Sequence, residues 1–482
     1  LFARRDDFRA TSHASKEPPM KIQLQALLSL CCLPLAAQAT SFQSPAEAVV
    51  APALGSVAQP SEARIARTLL VSWRADALET QKLAVRSLAR AVSTRDLSTP
   101  AMQIFGHGGL EAFDLPLGVD LELAAAELRR LPGVRAVDIE QVVRRASVSN
   151  DPAVVGGQTW GLYGDLSMPA NQYGSQAAEA WARGLTGSPT VHVGVIDEGV
   201  DINHPDLAPN IWRNPNEPID GVDNDGNGKI DDQYGWDFYN NDRTVYDGTP
   251  SDLVRDEHGT HVAGIIGARG GNGIGGAGVA WSVKMITAKV LDYGNGSTAG
   301  LAQCLDYMTD LKLRRGINVG VVNMSVGFAS YSQAVYDALE RARLADIVVV
   351  VAAGNGGVDY VGDNIDTTPY YPASYNHSHI ISVANITSTG ALSWRSNYGP
   401  ISVDIGAPGE SIRSTLPQNR YGLSSGTSMA APFVTGAVAV WRASRPTHSA
   451  ATTRGFIFLH RTQTPSLSGK VYMNGRLNMS NF

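Results

Sequence analysis

From residue 191 onward, short apolar runs alternate with longer stretches whose apolar positions recur at helical spacing. The runs at 191–196, 283–290, 320–324 and 347–352 are continuous and rich in β-branched residues. A strand with one wet face alternates apolar and polar positions, whereas an unbroken run demands cover on both faces. Strands of this kind separated by helices predict a doubly wound, mostly parallel sheet, an α/β fold. In such sheets reactive groups gather beyond the carboxyl ends of the strands. The earlier part of the chain reads differently. Residues 68–73 predict a strand, 78–91 a helix, 121–131 a second helix, and 134–139, after Gly133, another strand. Strand, helix, strand, helix, strand within about eighty residues is the order of a small split βαβ sandwich of the α+β class. Residues 146–158 are polar and turn-prone. The boundary is placed there, with one unit over 64–150 and the other over 151–482.

Composition refines this outline. The chain has 482 residues, 43% hydrophobic and 17% charged, with 49 glycines. That composition suits a globular, loop-rich protein and argues against disorder. An apolar run at 24–37 follows Met20 and Lys21 and leads to the small-x-small triplet Ala37-Gln38-Ala39. This is the form of an export signal, too short to span a bilayer. Translation is therefore expected to start at Met20, with 1–19 upstream sequence, 20–39 the signal, and the Ala/Pro/Ser-rich 40–63 a linker. The expected destination is extracellular or periplasmic, without membrane attachment after signal removal. Cys31 and Cys32 would leave with the signal. They also raise a lipoprotein reading, against which stands Leu30, where such signals carry a small residue. Cys304 would then be the remaining cysteine, so no intrachain disulfide can form. Its apolar helical setting with Leu301, Leu305 and Met308 marks it for packing. The net charge is −6, with −8 on residues 151–482, and no basic stripe points to nucleic acid.

Four polar residues stand where the apolar pattern breaks. Asp197 closes the first run, and a carboxylate buried there needs a partner. His258 lies in Asp256-Glu257-His258-Gly259-Thr260-His261, a polar turn ahead of an apolar helix. Asn355 follows the run at 347–352. Ser428 belongs to Gly426-Thr427-Ser428-Met429-Ala430-Ala431-Pro432, ahead of another apolar stretch. Proline is tolerated in a first helical turn, so Ser428 is expected to head a buried helix with Pro432 in that turn. Free N–H groups and the helix dipole favour developing negative charge at such a place. Each residue alone has a plain structural reading, a cap or a strand-end turn. Together they provide nucleophile, base, anchor for the base and amide donor, the components of acyl transfer through a covalent intermediate. His261, one turn from His258, also suggests a metal pair, a weak signal without a carboxylate.

With these motifs in view, residues 155–480 resemble the subtilisin-type serine proteases. The likeness rests on VIDEGVDINHPDL (195–207), HGTHVAG (258–264), NMSVG (323–327), AAGNGG (352–357), APGESIRSTLP (407–417) and GTSMAAPFVTG (426–436). It implies that Ser428 attacks the scissile carbonyl and that His258 takes its proton and later protonates the leaving amine. Asp197 would hold the imidazole, and the Asn355 amide with the Ser428 N–H would form the oxyanion hole. Ser325, Val326 and Gly327 would bind extended peptide as an added strand. Ala352, Ala353 and Gly354 would line the primary specificity pocket, with Tyr370 near its floor excluding large side chains. The implied activity is a secreted, monomeric endopeptidase acting on polypeptides. Residues 64–145 resemble the family's pro-domain, a small ferredoxin-like unit serving as inhibitor and folding aid. Self-cleavage is expected between 146 and 157, and a cut after Arg144-Arg145 by another protease is the rival. Two rival functions are a non-catalytic peptide-binding protein on the same fold and an esterase. Two departures stand out: Glu198, where the family usually has a small hydroxyl residue, and Asp256-Glu257 ahead of His258. The added negative charge is expected to raise the imidazole pKa.

Calcium enters by two routes. From Asp223 the order Asp-x-Asp-x-Asn-Gly-x-Ile follows the first eight positions of a calcium loop, with Asp223, Asp225 and Asn227 as ligands. The twelfth position is Tyr234, so Asp231 or Asp232 would have to replace the usual glutamate. The resemblance implies a second site from Asp206, Asn272 and the carbonyls of Ile274 and Gly276. In both places calcium would be structural.

Overall fold

The computed structural model describes residues 67–140 and 149–482. The upstream stretch, export signal, linker and Arg144-Arg145 pair expected from the sequence lie outside the described residues. The chain divides between Val142 and Val143 into two units.

In the first unit, β1 (Thr68–Trp73), α1 (Glu79–Ala89), β2 (Ser93–Asp96), β3 (Leu110–Asp114), α2 (Leu121–Leu128) and β4 (Val134–Ile139) follow in order. The strands form an antiparallel sheet in the order β2-β3-β1-β4, a ferredoxin-like arrangement. Leu69, Val71, Trp73 and Phe113 from the sheet meet Val85 of α1 and Leu128 of α2 in one core. Glu111 is buried beside this core, where the Trp73 indole (3.2 Å) and the Arg86 guanidinium satisfy it. The second helix stops at Leu128, short of the expected 131.

The second unit carries β5 (Gly187–Asp197), β6 (Gly235–Asp237), α3 (Glu257–Gly267), β7 (Ser282–Lys289) and α4 (Thr298–Arg314). There follow β8 (Val319–Met324), α5 (Gln333–Leu344), β9 (Val348–Ala352), β10 (Ile380–Ile386) and β11 (Ile405–Pro408). A hairpin of β12 (Ile412–Leu416) and β13 (Arg420–Ser424) precedes α6 (Thr427–Ser444), α7 (Ala450–Leu459), β14 (Thr462–Gln463) and β15 (Gly475–Arg476). One nine-stranded sheet runs β14-β15-β11-β10-β9-β8-β5-β7-β6, parallel except between β14 and β15. This is the α/β architecture expected from the unbroken apolar runs, and β9 shows why they are unbroken. Val348, Val350 and Ala352 face the core that holds α3 and α6, while Val349 and Val351 face the one that holds α4 and α5. Both faces are dry, so no position is left for a polar residue. Cys304 is buried in the α4 side of this core, a packing residue.

Helix α6 lies across β5, β8, β9, β10 and β11. It starts at Thr427, which places Pro432 inside the helix and not in its first turn as the sequence had suggested. A proline there cannot donate to the carbonyl four residues back, that of Ser428.

Candidate active site

Two strand ends and two helix starts carry the four polar residues of interest toward the carboxyl ends of the strands. Asp197 is the last residue of β5 and is 1% exposed. Its Oδ1 accepts the Glu198 N–H at 2.8 Å and faces Nδ1 of His258 at 2.7 Å. His258 is the second residue of α3, with its side chain about one-third exposed (32%). A carboxylate can only accept, so the neutral imidazole carries its proton on Nδ1 and leaves Nε2 as an acceptor. Burial pulls this imidazole down, but Asp197, with Glu198 and Glu257 behind it, more than offsets that and pushes it up to about 9. Burial, and then the charge of Asp197, push the Glu198 carboxyl up as well. Asp256, expected to add to this field, is instead turned to the buried ammonium of Lys289.

Ser428 is the second residue of α6, where helix N–H groups have no intrahelical acceptor. Its Oγ donates to the carbonyl of Ser325 at 3.4 Å, and among the described residues no hydrogen bond joins it to His258. The Ser428 carbonyl, deprived of a helical donor by Pro432, accepts the Ser325 hydroxyl at 2.9 Å. Ser325 in turn accepts from Asn323 at 2.9 Å, and Asn323 accepts from Thr435 at 2.8 Å. This buried relay ties the end of β8 to two turns of α6. Asn355 is fixed from the same helix: its Oδ1 accepts the Thr427 N–H (2.8 Å) and hydroxyl (3.1 Å). Because a backbone N–H can only donate, the amide orientation is set, with its NH2 left available. Gly426 permits this approach, since a Cβ there would lie 3.3 Å from the Asn355 amide.

The segments beyond β8 and β9 form two facing walls. The side chains of Val326 and Ala353 are spent on the core, while Gly327 is exposed. Tyr370 lies against both walls. A Cβ at Gly327 would fall 2.2 Å from its ring, and one at Gly354, where φ is +99°, would fall 2.8 Å away. Asn397 braces the second wall, donating to Ala353 O and accepting from Gly356 N, both at 2.9 Å. On the imidazole side a cavity of about 380 Å³ is lined by Glu198, Glu257, His258, His261 and Tyr293. His261 spends one ring nitrogen on the chain. Its Nε2 donates to the carbonyl of Ile412 (3.0 Å), and burial, helped by the charge of His258, pushes it down to about 4.

In both calcium candidates the carboxylates accept hydrogen bonds from the chain. Glu217, Asp223 and Asp225 each bring an oxygen within 4.8 Å of the others. The Asp225 side chain is 3% exposed, and its Oδ1 lacks a hydrogen-bond donor. A hard cation with oxygen ligands fits this set. Asp231 is not part of it: one oxygen accepts the Asp220 and Gly221 N–H groups and the other pairs with Arg243 at 2.6 Å. The Asn227 amide donates to Asp232, whose carboxyl burial pushes up to about 6. Glu217, which the sequence reading missed, takes the acidic place, signalled only by standing six residues ahead of Asp223. At the other candidate, Asp206 and Asn272 do meet, but through the amide NH2 at 2.7 Å. The second Asp206 oxygen accepts from Tyr421 (2.8 Å) and from the N–H of Gly276 (3.2 Å). Asp151 likewise accepts the N–H groups of Gly271, Asn272 and Gly273. Donors from the chain reach both Asp206 oxygens, as they reach both oxygens of Glu217 and Asp223 in the other loop.

Comparison with known proteins agrees with this architecture. The chain is 37% identical over 269 residues to the major intracellular serine protease of Bacillus subtilis, covering 55% of this chain and 72% of that protein. It is 34% identical over 276 residues to thermitase of Thermoactinomyces vulgaris, covering 56% and 82%. Subtilisin-like protease 1 of Plasmodium vivax is 36% identical over 267 residues, but the match spans only 40% of that longer protein. A solved protease structure from Pseudoalteromonas arctica superposes with a TM-score of 0.53 at 26% identity, covering 69% of this chain and 98% of that one. The profile of the subtilase family matches residues 188–469, more than half of the chain, and the chain belongs to that family.

Proposed function

We propose that this chain is a serine endopeptidase that hydrolyses polypeptides through Ser428, His258 and Asp197. The observation that carries the reading is the 2.7 Å contact between Asp197 and His258 at the head of α3. It orients the imidazole so that Nε2 accepts the Ser428 proton once the hydroxyl leaves the Ser325 carbonyl. Ser428 Oγ then bonds to the scissile carbon, and the carbonyl oxygen takes up negative charge. The free NH2 of Asn355 and the Ser428 N–H stabilise that oxyanion. The imidazolium, held by Asp197, protonates the leaving amine, and water repeats the sequence to release the acyl group. Substrate lies extended along Ser325–Val326–Gly327, opposite Ala352–Ala353–Gly354. With Tyr370 across both glycines, the side chain before the cut must be small.

The first unit acts as inhibitor and folding aid, and the export signal directs the chain out of the cell. No helix among the described residues is long and apolar enough to cross a membrane. Ser149, Asp151, Ala153 and Val154 are buried, and Ala153 N donates to Gly275 O at 2.9 Å. Bonds beyond Ser149 are therefore held in the second unit, which supports maturation on the amino-terminal side of Ser149. Calcium, held by Glu217, Asp223 and Asp225, would neutralise their mutual repulsion and stiffen the 217–232 loop.

A fluorophosphonate probe should label the processed chain at Ser428, and casein should be cut faster than simple esters are turned over. A processed, folded chain that stays unlabelled would overturn the assignment. Intact mass of Ser428→Ala protein tests self-processing: the precursor should remain uncut, and cutting at the same position would refute it.

A further inference from the structure

Lys289 is the last residue of β7, and its side chain is completely buried. Removing an ammonium from water is costly, and an apolar residue of similar size usually serves stability as well. The location gives the charge a use. In the sheet, Lys289 stands directly beside Asp197, and the next residue, Val290, donates its N–H to the Asp197 carbonyl at 2.8 Å. The ammonium turns back to bond the carbonyl of Glu198, one residue past Asp197. The same ammonium bonds Oδ1 of Asp256, two residues before His258. Asp256 begins α3 in a left-handed conformation (φ 60°) that few residues other than glycine adopt. Its other oxygen accepts the Asp247 N–H at 2.5 Å. Asp247 and Asp292 lie 3.4 and 3.8 Å from Lys289, and both also pair with Arg255.

We propose that Lys289 is a positioning residue for the reaction: one buried ammonium locks the strand end that carries Asp197 to the helix start that carries His258. This rests on the triad reading above. The competing role is plain neutralisation of Asp256, and the two roles separate when both charges are removed together.

The experiment uses processed Lys289→Met and Lys289→Met/Asp256→Asn proteins beside wild type. It measures kcat and KM on one peptide, the fluorophosphonate labelling rate, and Tm. Lys289→Met alone leaves Asp256 buried and unpaired and is expected to lose stability. The double variant should fold with a Tm near wild type. Its kcat and labelling rate should fall together by about 10- to 100-fold, since small misplacements of catalytic groups have effects of that order. KM should stay within about twofold, because the walls that bind peptide are untouched. A double variant with wild-type kcat and labelling would show that Lys289 merely neutralises Asp256. Wild-type protein that never labels would instead refute the triad reading itself.

Discussion

Around His258, three acidic groups face a basic partner supplied by the chain. Asp197 faces the imidazole, Asp256 the ammonium of Lys289, and Asp292 the guanidinium of Arg255. In the 217–232 loop, Glu217, Asp223 and Asp225 turn oxygens toward one another, and the buried Oδ1 of Asp225 has no hydrogen-bond donor and lies 3.7 Å from Arg315 Nε. Where the chain brings its own positive charge, geometry is fixed whatever the solution contains, and a proton can be moved within it. In the loop, where Glu217, Asp223 and Asp225 have one guanidinium, that of Arg315, beside them, a cation from solution would add to that charge. The first arrangement suits catalysis and the second suits stabilisation by a bound ion. Substitution of one acid in each region should therefore fail in different ways.

The sharpest break is Asp197→Asn. The carboxamide still reaches Nδ1 but favours the wrong tautomer and cannot stabilise the imidazolium. kcat should fall by about 10⁴-fold with little change in KM. Asp223→Asn, in the loop, should leave kcat on the same peptide nearly unchanged in excess calcium. A loss confined to KM in Asp197→Asn would separate the carboxylate from the chemistry. Next in size is Asn355→Ala, which removes a donor already oriented by Thr427. kcat should drop by about 10²- to 10³-fold, with no shift in the pH profile.

A smaller effect sharpens the electrostatic side of the contrast. Activity needs the neutral imidazole, so kcat/KM rises as pH climbs through the His258 pKa. With that pKa pushed up to about 9, the acid limb lies well above the ordinary 6.5. Glu257→Gln removes one contributing charge and should move the limb downward. Below the limb, kcat/KM then gains about tenfold for each pH unit moved. A limb already at or below 6.5 in wild type, or unmoved in the variant, would contradict the assigned field.

What the sequence revealed, and what it hid, follows the same division. Asp197, His258, Asn355 and Ser428 were legible because each sits at the end of an apolar run, where the sheet's topology gathers side chains. The α/β class was legible from runs such as 347–352, whose lack of alternation has one physical cause. The supports were not legible. Lys289 reads as a strand residue until β7 is laid beside β5. Asn323 and Thr435 meet across 112 positions. Asp206 meets Tyr421, which arrives from a hairpin 215 residues away. In the acidic loop the motif located the turn but misassigned a member. Asp231, in a left-handed conformation (φ 57°), swings to Arg243, and Glu217 takes the place. Local patterns mark where a chain breaks, whereas partners drawn from afar need the fold.

The smallest expected effect tests that last distinction directly. Ligand binding to the folded state adds RT ln(1 + [L]/Kd), about 1.4 kcal/mol at calcium tenfold over Kd. In a unit of this size that is a rise in Tm of a few degrees. The processed chain should show this rise on adding calcium and lose it with excess chelator. Asp225→Asn should abolish the increment, because the unsatisfied oxygen is gone. Asp206→Asn should lower Tm by loosening Tyr421 and Asn272, yet keep the calcium increment intact if the ion sits among Glu217, Asp223 and Asp225. If the increment vanishes in Asp206→Asn and survives in Asp225→Asn, the assignment of the two loops is reversed. If chelator leaves the wild-type Tm unchanged, neither loop holds a stabilising ion, and the 217–232 carboxylates must be tolerated by solvation alone.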